Sequence, residues 1–110
     1  MASVYKVLAQ SNPSATTETT LYTVTTSYSG IVSTIAVCNQ ASTAATYRIA
    51  VRPAADGSTT AKHWIVYGAT VPASDSVMLT VGITMAAGDK IQIYASSANL
   101  SFSAFGSEVA

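Results

Sequence analysis

The sequence predicts an all-β fold: a single-domain antiparallel β-sandwich of about eight strands, jelly-roll-like, over residues 1–110. Three observations carry this. Large apolar side chains recur at every second position, as in Tyr47-Arg48-Ile49-Ala50-Val51-Arg52, and period two marks a half-buried strand. Thr, Val, Ile and Tyr are abundant, and branched or aromatic side chains pack well on a pleated surface. Turn residues interrupt the runs at regular intervals, and no run repeats convincingly at the three and four spacing of a helix. Eight short strands in two sheets is the jelly-roll count.

The first strand is expected at 3–10 and stops at Asn12-Pro13-Ser14. A Ser/Thr-rich loop then enters a second strand at 18–26, carried by Leu21-Tyr22-Thr23-Val24 and ended by residues 27–30. The third strand, 31–39, has few polar breaks and gives way to a turn at 39–43. The fourth, 45–52, ends at Pro53 in a long turn that contains Asp56-Gly57. A fifth strand at 62–68 leads to Pro72-Ala73-Ser74-Asp75. In the sixth, 75–82, Val77, Leu79 and Val81 alternate with Met78 and Thr80. After Ala87-Gly88-Asp89 the seventh strand, 90–96, places Ile91, Ile93 and Ala95 on one face. The eighth, 100–109, alternates Leu100, Phe102 and Ala104 with Ser101 and Ser103. Residues 1–3 are left as an arm or a frayed end.

Charge narrows the function. Five basic residues balance five acidic ones, so the chain lacks the basic footprint a nucleic-acid binder needs. Charged residues make up 9% of the chain against a usual share of about 25%, yet mean hydropathy is positive, which argues against disorder. The longest charge-free stretch is full of Thr, Ser, Asn and Gln, so no membrane span and no membrane partner is expected. No signal peptide is expected either, because Val7-Leu8-Ala9 is too short for its apolar region. One cysteine allows no internal disulfide. A surface this weakly charged tends to associate, so much of it is expected to be covered by other protein.

Groups that could carry chemistry are sparse. The one histidine, His63, follows Lys62 at a strand start and reads as a solvated strand-end residue. Asp56, Asp75 and Asp89 sit in turn contexts, where aspartate bonds the local backbone. Cys38 reads as a small buried hydrophobe. Asn99-Leu100-Ser101 matches the short N-glycosylation pattern, and Asn99 also suits a turn. Tyr22 and Tyr47 fall in phase with core positions, and Trp64 beside Ile65 reads as core. No catalytic residue, cofactor or metal is expected, and the chain is expected not to be an enzyme. Arg48 and Arg52 are the candidate partner-binding pair: four apart on a strand they share a face, with the small Ala50 between, and a guanidinium can grip acidic groups of a neighbour bidentately. If a glycan were bound, the loops at 27–30, 53–62 and 68–75 would carry it.

Across nearly its whole length the chain resembles small β-rich virion structural proteins of tailed bacteriophages, including cyanophages and other aquatic phages. The resemblance runs through Tyr5-Lys6-Val7-Leu8-Ala9-Gln10, Leu21-Tyr22-Thr23-Val24, the segment IVSTIAVCN from Ile31 and the segment ATYRIAVRP from Ala45. It is strongest in Leu79-Thr80-Val81-Gly82-Ile83-Thr84, Ala87-Gly88-Asp89 and Ile93-Tyr94-Ala95-Ser96, and closes with Leu100-Ser101-Phe102-Ser103-Ala104-Phe105-Gly106. It implies a structural role in the virion, assembled in the host cytoplasm: a capsid decoration or cement protein that stabilises the head. The alternative is a neck, tail or fibre accessory subunit with a receptor- or glycan-binding role. The implied partners are the major capsid protein or other virion proteins, with a homo-oligomer expected and a trimer guessed from the role. Such domains are often joined to longer chains; with no coiled-coil stalk or fibre repeat in this sequence, a compact accessory subunit is expected.

Overall fold

Alternating strands each have one apolar face to bury, and a computed structural model of the chain, which describes residues 3–110, shows how they do it. The strands are β1 (Ser3–Ser11), β2 (Thr19–Thr23), β3 (Ser29–Asn39), β4 (Ala45–Arg52), β5 (Trp64–Val71), β6 (Ser76–Met85), β7 (Lys90–Ala95) and β8 (Leu100–Val109). A 3-10 turn, Ala61–His63, precedes β5. Met1 and Ala2, from the segment expected as an arm or frayed end, lie outside the described residues, and Ser3 opens β1.

Two four-stranded sheets form, in the orders β1-β8-β3-β6 and β2-β7-β4-β5. The pairing is nested: β4 pairs with β5, β3 with β6, β2 with β7 and β1 with β8, all antiparallel. The chain is thus one long hairpin rolled on itself, and the β3–β8 and β4–β7 ladders close the roll. That is the expected jelly-roll sandwich.

The core lies between the sheets. Val32, Ile35 and Val37 of β3 and Leu100, Phe102 and Ala104 of β8 face Tyr47 and Ile49 of β4 and Ile91 and Ile93 of β7. Tyr47 meets Phe102 edge-on across the layers, ring centroids 6.3 Å apart at 65°. Each buried Val, Leu, Ile or Phe among them contributes roughly 1.5–3 kcal/mol. Tyr22 and Tyr47 are buried, as their phase predicts.

Two strands run three residues past their expected ends. β5 continues to Val71 because Gly68, at φ +81°, forms a bulge and does not stop the strand. β6 continues to Met85 past Gly82, at φ +63°, opposite the register shift between Val32 and Thr34. Cys38 corrects an expectation: it is exposed on the outer side of β3, between the buried Val37 and Asn39. Its run is apolar on both sides, because the outer face of β3 also carries Ile31 and Ala36.

Two polar clusters pin the ends of the roll. Asn39 is 1% exposed, and its Nδ2 donates to the carbonyls of Thr43 (2.9 Å), Val71 (3.1 Å) and Pro72 (3.2 Å). Its Oδ1 accepts from the Ala41 amide at 3.0 Å, so one side chain ties the β3–β4 loop to the end of β5. At the other end Glu108 of β8 accepts from the Tyr22 hydroxyl of β2 at 2.6 Å and the Thr25 hydroxyl at 3.0 Å, and pairs with Lys6 Nζ at 3.3 Å. The Tyr22 hydrogen bond, helped by the Thr25 and Lys6 contacts, holds the Glu108 carboxyl down to about 2. Burial and the adjacent carboxylate push the Tyr22 hydroxyl up.

Candidate functional site

Strand alternation gives each sheet an outer face, and the two outer faces differ in chemistry. On the four strands of the β1-β8-β3-β6 sheet the only charged residues are Lys6 and Glu108, and these pair with each other beside Tyr22 of the opposite sheet. The outward rows are uncharged: Tyr5 and Val7 of β1, Ile31 and Cys38 of β3, and Met78 and Thr80 of β6, among Ser and Thr side chains. Met78 is 66% exposed.

The outer face of the β2-β7-β4-β5 sheet carries the arginines. Register aligns Tyr94 of β7, Arg48 of β4 and Tyr67 of β5 in one row across three strands. The Arg48 guanidinium carbon lies 4.2 Å from the Tyr67 ring centroid, 4.3 Å from that of Tyr94 and 5.9 Å from that of Trp64. Cations favour the electron-rich face of an aromatic ring, so these rings hold the side chain in place. Among the described residues no hydrogen bond or ion pair engages its N–H groups. Trp64 and Tyr67 meet edge-on, centroids 5.5 Å apart at 70°. Together with Thr59, Thr60 and Ala61 they line an open groove of about 480 Å³.

Trp64 therefore corrects the core reading. Ile65 is an extra residue between the pairs Ala50–Trp64 and Ile49–Val66, so Val66 faces the core while Trp64 faces outward. Arg48 and Arg52 do share a face, but differ in state. The Arg52 side chain is 15% exposed and is engaged within the chain: its guanidinium donates to the Thr59 hydroxyl at 3.3 Å and lies 3.9 Å from Glu18. Glu18 also accepts from the Thr59 hydroxyl at 2.7 Å and from Gln92 Nε2 at 2.9 Å. Ala50 between the arginines is fully covered, so no vacant slot separates them.

His63 is a further correction: it is buried at 5% exposure, not solvated. The Thr60 amide donates to Nδ1 at 2.8 Å, so Nδ1 carries the lone pair and Nε2–H faces Asp56 Oδ2 at 2.8 Å. That bond to His63, reinforced by Lys62, holds the Asp56 carboxyl below the usual carboxylate range. The Thr60 hydroxyl lies 3.4 Å from the same Nδ1, a Thr-His-Asp set that invites comparison with a nucleophile, base and acid. The backbone amide occupies the lone pair the base would need, so the set braces the 53–63 loop. Asp75 and Asp89 follow their turn reading. Asp75 accepts from the Ser76 amide, and Asp89 accepts from the amides of Ala54 and Ala86 at 2.9 Å each.

Of the three loops expected to carry a ligand, 53–62 supplies one wall of the groove, whereas 27–30 and 68–75 do not reach it. Among the described residues no three of His, Cys, Asp and Glu gather closely enough to hold a metal ion. No helix there is long and apolar enough to cross a membrane. No protein-family model matches the chain, and no curated protein or solved structure matches it.

Proposed function

We propose that this chain is a non-enzymatic structural subunit of a phage virion, seated on the head as a capsid decoration or cement protein. The observation that carries the reading is the uncharged outer face of the β1-β8-β3-β6 sheet, where Tyr5, Val7, Ile31 and Met78 stand exposed among hydroxyls. Exposed apolar surface of this kind marks contact sites. Short, weakly charged side chains lose little entropy when another protein covers them. The resemblance to phage virion proteins supports the same role, with the major capsid protein as partner and a closed homo-oligomer as the unit, a trimer being guessed from the role alone.

Copy number in purified particles tests this, measured by mass spectrometry against the major capsid protein. Hundreds of copies per particle support head decoration. A dozen or fewer overturn it and favour a neck, tail or fibre accessory subunit. That second reading includes ligand recognition, and the groove beside Arg48 supports it.

A further inference from the structure

We infer that the groove beside Arg48 binds a carboxylate-bearing saccharide, such as a uronic-acid unit of a surface polysaccharide. This names the ligand of the second reading above, and it concerns the folded domain wherever the subunit sits in the particle.

Aromatic rings meet the two needs of a sugar site. Tyr67 is 64% exposed although it lies mid-strand; the Arg48 guanidinium lies over its ring, and Trp64 meets it edge-on. A sugar ring presents apolar C–H patches that pack on such faces, while its hydroxyls need polar partners. Thr59 and Thr60 also line the groove; the Thr59 hydroxyl is engaged by Glu18 and Arg52, and Thr60 supplies the hydroxyl. A volume of about 480 Å³ lies within the usual range for small-ligand sites and exceeds a single sugar unit.

The charge comes from Arg48. A guanidinium has two faces and a rim of five N–H donors. The ring centroids of Tyr67 and Tyr94 lie within 4.3 Å of its carbon, and the rim has no hydrogen-bond partner among the described residues. Held in place and unpaired, that rim suits the two oxygens of a carboxylate. Arg52 meets the same chemistry four residues on, yet Glu18 lies 3.9 Å from it, and Lys90, the other cation of this face, stands in register with Arg52, so the unpaired guanidinium of the face is that of Arg48, beside the groove. Loop 53–63 is braced by Asp56, His63 and Thr60, so the threonine wall is preformed and little ordering accompanies binding.

The test is calorimetric titration of the purified chain with a glucuronic-acid oligosaccharide and with the same oligosaccharide after reduction of its carboxylates to alcohols. The acidic form binds, and the reduced form binds at least about tenfold more weakly. Arg48→Lys keeps the charge but loses the planar fork, and it removes that preference while leaving the weak binding of the reduced form. Trp64→Ala weakens both. Thermal melts establish that each variant is folded, and the wild-type comparison stands without any variant. Absence of binding by either sugar, equal affinity for both, an unchanged preference in folded Arg48→Lys, or tighter binding of an acidic peptide would overturn the inference. None of these results alters particle copy number, so the inference and the head assignment fail separately.

Discussion

At the scale of single residues, two buried polar side chains hold the ends of the roll, and each makes a distinct prediction. Asn39 donates to three carbonyls and accepts from one amide. Aspartate has the same shape but cannot donate, so Asn39→Asp sets a carboxylate against carbonyl oxygens. A loss of about 3 kcal/mol or more is expected in urea unfolding. Glu108 has the opposite requirement, since it must stay ionised. Its carboxyl sits at about 2 in the fold against an ordinary 4.5, so the unfolded chain takes up this proton first. The stability it contributes is complete above about pH 4.5 and is lost as pH falls toward 2. Urea midpoints measured through that window are expected to drop for the wild type. Glu108→Gln is expected to be less stable at pH 7 and to vary less with acid.

At the scale of elements, two glycines do different work. A Cβ on Gly106 would lie 1.9 Å from the Ile31 carbonyl oxygen, where the backbones of β8 and β3 meet. Gly106→Ala must push these central strands apart, and a loss of about 3 kcal/mol or more is expected. Gly82 has open space around it but a φ of +63°, so Gly82→Ala carries only backbone strain, about 1–2 kcal/mol. Comparing the two by thermal unfolding separates crowding from strain. The same glycines mark what the sequence made legible. Strand existence and phase could be read from alternation, and the bounds of β4 and β8 match residue for residue. A glycine in a bulge looks like a glycine in a turn, so β5 and β6 read short. The bulge at Ile65 also inverts Trp64, and nothing in Lys62-His63-Trp64-Ile65-Val66 signals an extra residue. The groove was therefore legible only as a loop. Its aromatic wall depends on that register, and the Arg48 stack on a row formed across three strands.

At the scale of the whole molecule, the sandwich has two unlike outer faces, one uncharged and one bearing arginines among aromatic rings. Charge in the wrong place should therefore act on assembly and not on folding. Met78→Lys places an ammonium on the uncharged face at an exposed position, where it costs the free chain little. Desolvating it in a contact is costly. The variant is expected to melt within a few degrees of the wild type and to occupy heads at least about tenfold less in a binding assay with undecorated particles. Arg48→Lys, on the other face, is expected to decorate heads normally.

Cys38 gives the most direct test of the uncharged face as the seat of the subunit. It is the one cysteine of the chain, and it lies exposed on that face. Alkylation by iodoacetamide, read by mass spectrometry, can be compared between the free chain and intact particles that carry it. Rapid labelling of the free chain and strong protection in particles is the predicted result. Equal labelling in both would contradict the account, because the face assigned to the capsid would then stand open to solvent.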